Sequence, residues 1–207
     1  MTRIMGPVNF STNEVCGLLI EAFDGPPVAM MPYNKPYYLP LLDKLGFQKN
    51  VDLRAYRYTA GTYSDRSVKL IDRIEERLQR NNIILRTINL KKFKDECNAI
   101  REVYNKAWDK NLGFVPMTDK EFDYTAKDLK MILDPDFCII AEQEGKIVGF
   151  ALAIPDINQI LIKIKRGRLF PMGLIKLLLD KKKMNGIRIL LLGVIDGYRK
   201  MGIEACL

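Results

Sequence analysis

Residues 190–207, LLLGVIDGYRKMGIEACL, constrain the fold more than any other stretch of the chain. Leu190 to Ile195 is strongly apolar and reads as a strand. A polar turn follows, and Arg199-Lys200-Met201-Gly202-Ile203 opens a helix. A strand that ends in a basic, glycine-containing turn and opens a helix is a ready anion site. Backbone N–H groups and the positive end of the helix dipole point at whatever sits there.

The residues upstream supply layers for that strand. Residues 83–90 read as a strand, and residues 91–110 as a helix whose Phe93, Cys97, Ile100, Tyr104 and Trp108 make a buried stripe. Thr118 and Glu121 have the spacing of a capping box, and the helix they open ends before Asp134-Pro135. Residues 137–154 read as a hairpin turning at Glu144-Gly145. A basic helical insertion comes next, then the terminal strand, turn and helix. This order predicts an α/β fold with a mixed central β-sheet flanked by helices.

The N-terminal part is less regular. Two short apolar stretches, residues 4–10 and 16–23, are followed by a helical spacing of Tyr38, Leu41, Leu42 and Leu45 stopped by Gly46. Residues 51–58 alternate as a half-buried strand does. Val68, Ile71, Ile74 and Leu78 form one stripe of an amphipathic connector helix. The expected division is therefore residues 1–60, a connector at 61–82, and residues 83–207.

Composition narrows the chemistry. Histidine is absent, which removes Ser-His and Cys-His nucleophile pairs and imidazole-dependent metal sites. Cys16, Cys97, Cys138 and Cys206 are scattered without CxxC pairing, so no metal is expected and a reducing, cytoplasmic setting fits. Residues 1–10 do not resemble a signal peptide, and no apolar run approaches the roughly 18 residues that span a bilayer. The formal charge is +8, and residues 156–190 hold nine Lys/Arg against two Asp. Within them, basic residues flank apolar residues 174–179. That pattern suits either a core-facing stripe with a charged outer face or a face that lies on anionic lipid.

The order of elements and the terminal motif resemble the GNAT-type N-acyltransferase superfamily. Its members carry Q/R-x-x-G-x-G/A at the start of the helix after the fourth strand. Arg199 matches the first position and Gly202 the central glycine; Glu204 stands where the family has Gly or Ala. Val194 and Tyr198-Arg199 are similar to the family's V-x-P-x-Y-R run, with Asp196 in place of the proline. The segments GPVNFSTNEVCGLLIEAFDGPP, YYLPLLDKLGFQKNVDLRAY, YNKAWDKNLGFVPMTDKEF, PDINQIL and GRLFPMG further resemble large bacterial proteins with two GNAT-like units in tandem.

The resemblance implies that residues 1–60 are the closing half of one GNAT-like unit. Residues 83–207 are then the opening half of a second, cut inside its CoA-binding helix. The chain is thus expected to be a fragment of a longer protein. A closing half followed by an opening half is also the order of a circular permutant, whose halves could complete one sheet within a chain or between two.

By the same resemblance, acetyl-CoA is the co-substrate and a primary amine the acceptor. Val194 and Ile195 would contact the pantetheine arm, and the amides of Arg199, Lys200, Met201, Gly202, Ile203 and Glu204 would hold the pyrophosphate. No catalytic residue is assigned. Glu142 and Glu144 lie near where acceptor sites of this fold occur, but surface or turn roles explain both. The family's frequent general acid, a tyrosine, would fall at Leu42, with Tyr37 and Tyr38 nearby. Trp108, Asn111, Gly113, Phe114 and Pro116 form an aromatic turn that is either an acceptor groove or a helix end under its own loop. The expected partners are an acyl-CoA and an amine, with a homodimer allowed and neither nucleic acid nor membrane expected. Two alternatives stay open: a non-catalytic module binding acyl-CoA or protein, and an RNA- or membrane-surface protein using the basic insertion.

Overall fold

The computed structural model describes residues 4–9, 11–164 and 167–207. Phe10, Lys165 and Arg166, which belong to segments singled out above, lie outside them, as does the side chain of Lys181. In chain order the elements are α1 (Tyr38–Lys44), α2 (Asp65–Arg80), β1 (Ile83–Thr87), α3 (Phe93–Ala107), α4 (Asp119–Lys130), β2 (Cys138–Gln143), β3 (Lys146–Pro155), α5 (Asn158–Leu161), α6 (Leu174–Asp180), β4 (Ile187–Val194) and α7 (Ile203–Cys206). They group into two compact units: Met1–Thr59 with Asp156–Met184, and Ala60–Pro155 with Asn185–Leu207.

The second unit is a four-stranded sheet in the order β1-β2-β3-β4, each neighbouring pair antiparallel. The mixed sheet expected from sequence is corrected to this extent: among the described residues no pair is parallel. β2 returns directly into β3 through Glu144 (φ 50°) and Gly145 (φ 79°), two positive-φ residues suited to a tight hairpin whose twist matches its strands. β4 comes back along β3 after the long insertion, and among the described residues no strand pairs with its outer edge.

Each face of the sheet buries a separate apolar cluster. On one side Ile100, Val103 and Tyr104 of α3 meet Ile140 and Phe150, with Phe93, Trp108 and Phe114 packed around them. This is the stripe expected from the spacing of α3. On the other side Leu78 of α2 and Ile203 of α7 meet Ile83, Ala141, Val148 and Val194. Fully burying a side chain such as Phe150 or Ile203 contributes about 1.5–3 kcal/mol each, which holds these helices to the sheet. The α2 stripe therefore has a partner at its Leu78 end, whereas Val68 and Ile71 are exposed. α4 begins at the predicted capping box: Thr118 Oγ1 accepts from Glu121 N, and the Glu121 carboxylate accepts from Thr118 N.

In the first unit, polar side chains replace most of the ladder. Asn34 accepts from Leu19 N at 2.7 Å and donates to Leu19 O, imitating a strand partner. Val8 and Cys16 form an isolated antiparallel bridge. The buried Asp156 carboxylate accepts from Ala29 N at 2.9 Å, and Asn158 donates to Pro27 O at 2.8 Å. These bonds tie the start of the insertion to the N-terminal segment. α1 and its stop at Gly46 (φ 82°) follow the sequence pattern.

Two expectations fail here. Among the described residues no strand pairs with residues 51–58, and Val51, Leu53, Tyr56 and Tyr58 are exposed; alternation without a neighbouring edge cannot make a strand. The charged outer face that would accompany a core-facing stripe of the insertion is also not what the structure contains. α6 is apolar on its outer face as well as its inner one.

Candidate cofactor-binding turn

The turn begins where β4 leaves the sheet. Val194 is buried and pairs in register with Gly149, and Ile195 N donates to Val148 O at 3.0 Å, extending the ladder by one bond. Tyr198 N then donates back to Ile195 O, closing a turn, while the Tyr198 hydroxyl donates to Gln143 Oε1 at 2.6 Å. The phenol thereby anchors the turn to the end of β2.

Arg199, though exposed, turns its guanidinium back onto the protein. Its Nε donates to Val194 O at 3.1 Å, and its Nη2 donates to Ala107 O at 2.7 Å, at the C-terminal end of α3. A cation at a helix C-terminus is favourably placed against the dipole. Asp196, in the position of the family's proline, lies 3.3 Å from Arg199 and 2.7 Å from Lys110. Lys110 holds the Asp196 carboxyl below its usual range, and Asp196 raises Lys110 in return. Both groups are exposed, so this latch sets geometry more than stability.

The rest of the turn rests on α2. Gly202 has φ 91°, and a β-carbon there would meet Ile74 Cγ2 at 2.7 Å and Arg77 Nη2 at 3.2 Å. Arg77 donates to Met201 O. Ile203 is completely buried in the cluster with Leu78 and Val194. Lys200 and Glu204 are exposed, and Met201 is half-buried. Among the described residues, the amides of Gly202, Ile203 and Glu204 have no hydrogen-bond acceptor in the chain.

The structure thus brings residues 194–204 together on one β-end, but it divides their roles. Arg199, Ile203 and the carbonyls of Val194 and Met201 are engaged within the protein. Lys200 and Glu204 are exposed, and the three amides are not engaged within the chain among the described residues. Ile74, Arg77, Ala107 and Lys110 are supporting residues that sequence reasoning missed. Only Ile74 carried a signal, as a member of the α2 stripe.

The other residues singled out are accounted for by packing or pairing. Arg86 bridges Glu142 at 2.7 Å and Glu96 at 2.8 Å, so Glu142 is already engaged with a cation; Glu96 raises the Arg86 pKa. Glu144 occupies the hairpin turn. Trp108 and Phe114 pack around Tyr104, with centroids at 4.7 and 5.7 Å, making the aromatic turn part of the core. Tyr37 and Tyr38 stack on one another at 4.8 Å in the first unit. Burial pushes the thiols of Cys97 and Cys138 up to about 11 and about 12, which suits core packing and not nucleophilic attack. Among the described residues no cluster of His, Cys, Asp or Glu could hold a metal.

Sheet order, flanking helices and the strand–turn–helix at residues 187–206 together define an α/β unit built on an antiparallel four-stranded sheet. No protein-family model matches the chain. It is similar to Protein YghO of Escherichia coli, 37% identical over 203 residues, covering 96% of this chain and 50% of that protein. It is also 32% identical over 198 residues to a bacterial ceramide synthase of Caulobacter vibrioides, covering 93% of this chain and 50% of that one. The chain spans about half the length of the curated relatives it matches. Among solved structures, a mosquito arylalkylamine N-acetyltransferase-like protein overlaps 59% of this chain and 65% of its own at 17% identity and a TM-score of 0.35. An agmatine N-acetyltransferase variant in its apo form overlaps the same shares at 11% identity and a TM-score of 0.32. Overlap at that level specifies neither ligand nor chemistry.

Proposed function

We propose that the chain contributes the acyl-CoA-binding half of a GNAT-type N-acyltransferase, with acetyl-CoA as donor and a primary amine as acceptor. The observation that carries this reading is that the amides of Gly202, Ile203 and Glu204, in the turn after β4, have no acceptor in the chain among the described residues, with Lys200 exposed nearby. Backbone donors in that arrangement suit a pyrophosphate, and Lys200 adds a positive charge near them. The exposed Glu204 carboxylate opposes the same ligand.

The co-substrate supplies the thioester whose carbonyl an amine attacks directly, releasing the thiol. The protein then needs to orient both partners and exclude competing geometry, which a chain without histidine can do. The latch of Lys110, Asp196 and Arg199 keeps the turn in register with β4, so that amides and strand end address one ligand. A second donor deserves the same trial. One relative is named a ceramide synthase, and a ceramide is an N-acylated amine, so a long-chain acyl-CoA belongs beside acetyl-CoA.

Calorimetric titration of CoA, acetyl-CoA and a long-chain acyl-CoA tests the reading. Binding is expected, and Glu204→Ala should tighten it by removing like charge without touching the core. Lys200→Ala should weaken it. No binding to the wild type or to Glu204→Ala, or affinity indifferent to both substitutions, refutes the assignment.

A further inference from the structure

The outer face of the insertion is apolar where a solvated helix is polar. Along α6 the inward positions are Gly173, Leu174 and Leu177, which are buried or half-buried. The outward positions, spaced by three or four residues, are Met172 (71% exposed), Ile175 (47%), Leu178 (67%) and Leu179 (74%). Phe170 (73% exposed), just before them, and Ile162, on the turn after α5, are exposed too. A contiguous set of large aliphatic side chains in water marks a surface that meets something else.

Charge indicates what. Lys163, Arg168, Lys182 and Lys183 are exposed within the same segment, and Lys176 lies beside Lys163, its Nζ donating to Lys163 O. Both acids of the segment are already engaged. Asp156 is buried and accepts from Ala29 N, while Asp180 accepts from Lys183 at 2.6 Å. The exposed surface is therefore aliphatic and cationic, with no free carboxylate to repel an anion.

We propose that the exposed described residues between Asp156 and Met184 form an interfacial surface that lies on an anionic lipid bilayer. The outer face of α6 enters the headgroup–acyl boundary, and the lysines and arginine pair with lipid phosphates. The sequence pattern allowed both a core-facing stripe with a charged outer face and a face on anionic lipid, and the apolar outer side of α6 favours the second. α6 has seven residues, and no helix among the described residues is long and apolar enough to cross a membrane, so the contact is with the surface. Nucleic acid fits less well: its binding surfaces supply several aromatic platforms for bases, whereas this one is mainly aliphatic, with Phe170 its one named aromatic. The inference is independent of the acyl-CoA reading, since none of these residues belongs to residues 194–204.

Flotation of the full chain with phosphatidylcholine vesicles, with and without phosphatidylglycerol, tests it. Binding is expected only to the anionic vesicles and should fall with salt. Lys163→Gln and Lys182→Gln should each weaken it by about fivefold. Leu178→Ser with Leu179→Ser should weaken it by roughly tenfold or more while leaving the thermal melt unchanged, because both side chains face outward. Failure to float with anionic vesicles overturns the proposal. So does binding that survives the double serine change. RNA-oligonucleotide binding in place of vesicle binding assigns the surface to nucleic acid, and a dimer abolished by the serines in place of vesicle binding assigns it to a second copy; either result overturns it.

Discussion

Gly202 lies against Ile74: a β-carbon at position 202 would stand 2.7 Å from Ile74 Cγ2, inside any normal contact. The glycine that the resemblance gives to pyrophosphate thus also has a packing reason, and any loss of ligand on its substitution confounds the two. Gly202→Ala combines a left-handed backbone with a steric overlap and should cost about 2–4 kcal/mol in chemical denaturation. In an Ile74→Ala background the same change should cost less, since only the backbone share remains. Equal costs in the two backgrounds would show that Ile74 does not set the limit.

Trp108 covers Gly193 in the same restrictive way. A β-carbon at 193 would lie 2.3 Å from the indole Cζ3, and the ring cannot retreat without disturbing Tyr104 and Phe150. Gly193→Ala should destabilise the unit by about 1–3 kcal/mol. Trp108 is the sole tryptophan, so its emission reports the displacement directly and should shift to the red. An unshifted spectrum with unchanged stability would contradict the packing.

The α4 cap predicts a pH response. Thr118 donates to the Glu121 carboxylate from both its amide and its hydroxyl, at 2.8 Å each, holding the acid below its ordinary 4.5. A depressed acid contributes stability that is fully present above its unfolded value and is lost as pH falls through the folded one. Loosening of the start of α4 is therefore expected only below 4.5, and the effect is small because Glu121 is exposed. An NMR titration of the Glu121 carboxyl should show the lowered midpoint, and Thr118→Val, which removes the hydroxyl but keeps the amide donor, should return only the smaller part of it. A wild-type midpoint at the ordinary value would count against the cap.

What sequence reading recovered was local. The α3 stripe, the Thr118–Glu121 box and the Glu144-Gly145 turn each depend on residues within a few positions, and each stands where its spacing places it. What it missed depends on distant neighbours. The alternation of residues 51–58 carried no information about whether an edge existed to pair with. The leucines of α6 have the same period whether they face a core or solvent. At the turn, the motif located residues 194–204 but could not show that Arg199 turns back to Ala107 O, because that acceptor lies 92 positions away.

The outer edge of β4 has a consequence for handling the protein. Among the described residues no strand other than β3 pairs with Ile187–Val194, and Ile187, Ile189 and Leu192 are exposed along it. Such an edge is a template for strand addition. Dilution, more than cooling, should then keep copies of this chain apart, and a single inserted charge such as Ile189→Lys should extend the concentration range over which it sediments as one species.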